Sequence, residues 1–224
     1  MGTRQSETVM RGLTKVWADF STDLDTVPII DKLMRGKFRL EDYKRFLLNH
    51  RQQVVEGARW IARAASSISE EYFELRSVFM RHAVTEHRDF KMLEENYVSI
   101  GGSAEEIQHT EKNIGTEALH AFMFHRATQP NPFDLLGAMF VIEGLGQNKA
   151  RDWGARIKTQ LGLNDRQVSF LLYHGEHDDE HMQQFEDALT SGILDIEQMD
   201  KRIVKTAKIV ARLYKLQLEE LGNI

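Results

Sequence analysis

Over most of the chain apolar residues return at i, i+3, i+4 and i+7, and alternating Val, Ile and Thr are nearly absent. A repeat near 3.6 residues is the mark of amphipathic helices, so the pattern predicts an all-α fold. Helices are expected at about 6–20, 40–66, 70–99, 104–127, 132–161, 165–190 and 196–222, with a short turn near 28–35. Several of these starts carry capping chemistry. Ser103 with Glu106, and Asn164 with Gln167, have capping-box spacing, and Asn131 before Pro132 offers a cap ahead of a proline at the first helical position. Gly101-Gly102 stops the preceding helix. With no repeat and no linker long enough to separate a pair of cores, residues 1–224 are expected to form a single bundle of about seven helices.

Composition narrows the function. The 29 Lys and Arg are outnumbered by 34 Asp and Glu, giving a net charge of −5, and the cations are scattered rather than clustered. That distribution offers no electrostatic footprint for nucleic acid. There is no Cys, which removes disulfides, thiol nucleophiles and thiolate metal sites. No run of 18 apolar residues occurs and the opening residues lack an apolar signal region, so no membrane partner and a cytoplasmic location are expected.

The strongest chemical signal is HGEHDDEH, residues 174–181. At about 100° per residue, His174, Asp178 and His181 fall within about 60° of one another on one helix face. Phe170, Leu171, Phe185 and Leu189 share that face, so two imidazoles and a carboxylate point at the core. Buried charge needs compensation, and metal coordination supplies it; a buried hydrogen-bond network is the alternative. Asp179 and Glu180 point away. On an earlier helix His82, Glu86 and Asp89 share a face with Leu75, Val78, Phe79, Leu93 and Tyr97, as ligands or as a structural salt-bridge cluster. The third element, LLGAMFVIEGLGQN (135–148), is apolar nearly all round, with Glu143 its only charge; Gly144 and Gly146 would admit a close neighbour. His82, Asp89, Glu143, His174, Asp178 and His181, with Glu86 in reserve, form an inventory suited to two iron or manganese ions.

Other histidines are read differently. Glu106-x-x-His109 and Glu117-x-x-His120 match a di-iron pattern, but both fall on one expected helix, off the Ile107, Ile114, Ala118, Phe122 stripe, and are taken as solvated. His50 shares a face with Tyr43, Phe46, Leu47, Val54 and Ile61; it is read as a hydrogen-bonded core histidine, with a pocket wall as the alternative.

A buried Glu-Gly helix followed by His-x3-Asp-x2-His resembles the haem-oxygenase-like di-iron oxidases. His174, Asp178 and His181 match that motif residue by residue, and LGAMFVIEGLG is also similar to a stretch of bacterial haem oxygenases, which have no di-iron site. One departure stands out: the family's Glu-x6-His reads here as His82-x6-Asp89, a carboxylate and an imidazole exchanged. The resemblance implies a haem-oxygenase-like bundle holding two irons, with His174, Asp178, His181 and Glu143 at the reacting centre. The implied activity is O2-dependent oxidation of a small organic substrate by a homodimer, with an electron donor as a further partner. Haem is not expected, because the first histidine, His50, lies on the second long helix; thiaminase II relatives of the fold use a cysteine that this chain lacks. Two alternatives remain open: a metal-free oxidase like pyrroloquinoline-quinone synthase, and a non-catalytic binding domain.

Overall fold

The structure, a computed structural model, describes the backbone of residues 2–177 and 179–221 and the side chains of 4–175 and 185–221. Asp178 and the side chains of 176–184, His181 among them, lie outside the described residues. Within the described residues the chain is helical without strands: α1 (Gly2–Leu24), α2 (Pro28–Met34), α3 (Leu40–Val54), α4 (Gly57–Ser66), α5 (Phe73–Glu86), α6 (Phe90–Ser99), α7 (Ala104–His109), α8 (Ile114–Ala127), α9 (Leu136–Leu145), α10 (Arg151–Leu161), α11 (Ser169–His177), α12 (Asp179–Thr190) and α13 (Met199–Glu219). A π-turn, Gly146–Ala150, joins α9 to α10 without a loop.

Three of the expected long helices are in fact pairs. The 40–66 stretch breaks at Val55 and Glu56, ahead of Gly57. The 104–127 stretch breaks before Asn113, whose side chain caps α8 by accepting from Thr116 N while its amide donates to the Gln217 carbonyl. The 70–99 stretch breaks at 87–89 with neither Gly nor Pro. There the Thr85 hydroxyl donates to the His82 carbonyl, and Asp89, Lys91 and Met92 bond back three residues rather than four. With this switch to tighter turns α5 ends. The capping pairs form at Ser103 and Asn164. Asn131 does not cap a helix: it adopts φ +46°, accepts from Ser69 N, and so ties the α4–α5 connection to the entry of α9.

Amphipathic α13 is the hub, packed against α1, α8 and α9. Its approach to α9 is so close that a Cβ on Gly137 would overlap the Ile203 carbonyl oxygen. Gly144 likewise lets the Trp17 ring of α1 lie on α9, where a Cβ would sit 3.0 Å from the ring. A buried ion cluster pins the far end: Asp134 takes Arg126 at 2.5 Å, Arg202 at 3.2 Å and the Thr206 hydroxyl at 3.2 Å. The core they enclose is apolar and continuous, and it leaves a cavity bordered by α3, α4, α5, α8, α9 and α11.

Candidate metal centre

Three elements deliver polar groups to one wall of that cavity. His82 and Glu86 are a helical turn apart on α5, Glu143 comes from the otherwise apolar α9, and His174 comes from α11. His82 Nε2 lies 3.3 Å from Glu143 Oε1 and 3.7 Å from Glu86 Oε1. His174 Nε2 lies 3.2 Å from Asp89 Oδ2. The exchanged pair is therefore split by the helix break. Asp89 does not stack below His82 on a continuous helix, as the spacing suggested; it follows the end of α5 and meets His174 instead.

Two sets of potential ligand atoms result, each within a 4.8 Å sphere of mutual distances: His82, Glu86 and Glu143, and Glu86, Asp89 and His174. Glu86 belongs to both, a central place where the sequence suggested only a reserve. Burial and the charges of Glu143 and Asp89 push its carboxyl above the usual range, tempered by His82 and His174. Three carboxylates gathered against two imidazoles form a site whose charge favours a cation.

Ring orientation points the same way. His174 Nδ1 is 2.9 Å from the Phe170 carbonyl, which can only accept, so Nδ1 carries a hydrogen and Nε2 faces the Asp89 carboxylate. A backbone acceptor that fixes one ring nitrogen and presents the other is the usual support of a metal-binding histidine. Phe170 adds packing, its ring 4.2 Å from that of His174.

The remaining wall is largely apolar. Trp60, Met123, Met139, Ile142 and Trp153 face the cavity beside His82, Glu86, Glu143 and His174. His50 lines it as well: the ring stacks on Phe46 at 4.8 Å, Nδ1 has no hydrogen-bond partner among the described residues, and burial with the nearby His174 lowers its pKa to about 3. It is a cavity wall, and no hydrogen bond of its ring is found among the described residues. His120, expected in solvent, is buried and lines the cavity too; His109, by contrast, is exposed. Helix α8 buries Thr116, Leu119, His120, Met123 and Ala127, whereas Ile114 of the expected stripe is 62% exposed. The stripe fails because the break before Asn113 resets the helical phase. Gln53 and Tyr214, which no sequence signal singled out, border the same space.

Comparison with solved structures places the fold. A domain from Shewanella denitrificans with a haem-oxygenase-like fold superposes with a TM-score of 0.86 at 18% identity, over 94% of this chain and 90% of that one. A TenA homologue from P. horikoshii gives 0.77 at 14% identity, over 96% and 98%. A TenA homologue from Pyrococcus furiosus gives 0.70 at 14%, over 96% and 98%. The chain thus has a haem-oxygenase-like helical fold, as its sequence suggested. Comparison with curated proteins gives no significant match. A family model described as iron-containing redox enzyme matches residues 44–215, most of the chain, and the protein belongs to that family.

Proposed function

We propose that the protein is a non-haem di-iron oxidase that uses O2 to oxidise a small organic substrate. The observation that supports this reading is the position of Glu86, common to two histidine-and-carboxylate groups, so that it would serve as a ligand in either. Hard carboxylates with imidazole suit iron or manganese, and a family of iron-containing redox enzymes agrees with iron. His82 and Glu143 would hold one ion and Asp89 and His174 the other, with Asp178 and His181 completing the set by the sequence motif. Bound iron would supply the redox chemistry with O2. The chain itself fixes the His174 ring through Phe170, balances the charge of the ions with carboxylates, and lines the approach with apolar side chains that exclude water. No cysteine is present for the thiaminase type of reaction.

Protein purified without chelator is expected to contain about two irons per chain, and ferrous protein prepared without air to consume O2 on aeration. A fully folded chain that takes up no iron would refute the reading and leave the metal-free or binding alternative. Homodimerisation and an electron donor belong to the same proposal, tested by solution mass and by reductant dependence of turnover.

A further inference from the structure

Helix α5 is apolar on both of its faces. Leu75, Phe79, His82 and Ala83 are buried on the inner one. The outer face of a helix at the edge of a bundle is ordinarily polar, yet here Phe73 is 55% exposed, Met80 51% and Val84 74%. Among the described residues the other large apolar side chains in solvent, Met34, Leu40, Val98, Ile114 and Tyr173, come one to a helix, the scatter of an ordinary surface. Those of α5 fall in line instead. Phe73, Ser77, Met80 and Val84 follow one another at intervals of four, three and four residues, the spacing of a coiled-coil seam.

The charges beside this seam select what lies on it. Glu74 near its start and Arg81 towards its end occupy the same flank, both exposed, and neither has an ion-pair partner among the described residues. When a second α5 is laid antiparallel on the first, with Phe73 opposite the partner's Val84 and Ser77 opposite the partner's Met80, the seam meets itself. Glu74 then comes beside the partner's Arg81, and the two-fold axis repeats the pair. A parallel arrangement would set Glu74 against the partner's Glu74 and Arg81 against the partner's Arg81, which repel. We propose that this outer face of α5 is the interface of a two-fold homodimer, its occupant a second copy of the chain. The inference rests on the homodimer put forward above and gives it a surface; it does not depend on iron or O2. The inner face of the same helix carries His82 and Glu86, so the interface backs directly onto the candidate metal centre.

Sedimentation equilibrium of the full chain at about 1 to 100 µM is expected to show dimers, at the modest strength of a small helix-on-helix contact. Val84→Glu, at a position in solvent, is expected to raise the dimer Kd about tenfold or more. Glu74→Arg and Arg81→Glu, each alone, set like charges together and are expected to raise it about tenfold, and the double variant to recover it. Mixed with each other, the single charge variants are expected to pair in preference to forming either homodimer. Circular dichroism checks the helicity of each variant, and should Val84→Glu not fold, the charge variants decide. A wild-type chain that stays monomeric, a dimer unmoved by folded Val84→Glu, or charge variants that neither weaken the dimer nor complement one another would each overturn the inference. Iron per chain and O2 uptake on the same samples judge the oxidase reading separately: a monomer that holds iron and consumes O2 would keep the oxidase and lose the interface, and a dimer without iron would do the reverse.

Discussion

Glu86→Gln separates a metal centre from a structural ion cluster. In metal-free protein the carboxylate of Glu86 lies within 4.8 Å of ligand atoms of both Glu143 and Asp89. At an effective dielectric constant near 20, two unit charges at that separation repel by about 3 kcal/mol. Attraction to His82 and His174 offsets some of this, leaving a net penalty of about 1–2 kcal/mol that an isosteric amide removes. Glu86→Gln is therefore expected to raise the melting temperature of chelated protein by roughly 2–8 °C, given about 2–4 °C per kcal/mol for a chain of this size. The same change removes the shared ligand, so iron stoichiometry should fall and added ferrous ion should no longer stabilise the fold. The sign with pH follows from the raised folded-state pKa. Wild-type stability from this group is present below the ordinary value of 4.5 and is lost as pH rises through the elevated one. The difference in stability between variant and wild type should thus grow in favour of the variant over that interval. Calorimetry of both proteins after chelation, from pH 4 to 8, measures it. A loss of about 3–5 kcal/mol in Glu86→Gln, as expected for one member of a structural ion pair, would refute the metal-centre argument.

Asp89→Ala or His174→Ala should lower iron from about two per chain toward one and abolish O2 uptake, read by metal analysis and oxygen electrode; an unchanged iron content would remove them from the ligand set. His181→Ala should lose iron with its helical circular dichroism intact, while Asp179→Ala, outward on the expected face, should keep both. His120, with a folded pKa near 4 against an ordinary 6.5, makes the fold lose stability as pH falls from about 6.5 to 4, by up to about 3 kcal/mol; urea titrations of wild type and His120→Leu should differ in that slope. Asp134→Ala strands Arg126 and Arg202 beside a buried site and should cost about 3–5 kcal/mol by denaturant titration, with no change in iron per folded chain.

The helical period read the fold class and most of the core, and the apolar run around Glu143 marked a central helix because a lone charge there is conspicuous. The breaks were harder to see. That at 87–89 carries no Gly or Pro, so a continuous face from His82 to Asp89 looked sound until Asp89 turned toward His174. The break before Asn113 depends on an asparagine whose amide finds α13, a contact between residues 104 apart in sequence. Losing it shifted the phase of α8, and His120 moved from the apparent surface into the cavity. Asn113 as a cap was readable in principle from its position ahead of Ile114, Gly115 and Thr116. The partners of Gln53 and Tyr214 were not, since their value comes only from tertiary neighbours.

The π-turn at Gly146–Ala150 makes the chain unequal in its tolerance of changes in length. A π-turn holds one residue more than an α-turn over the same stretch of axis, so deleting one residue there would let the segment relax to ordinary helix while its flanks keep their facing. The same deletion a few residues earlier, between Leu136 and Ile142, would turn Glu143 by about 100° against the rest of α9 and point it away from His82. Insertions and deletions on this helix are thus absorbed just past the carboxylate and ruinous just before it, and the π-turn separates the two regimes.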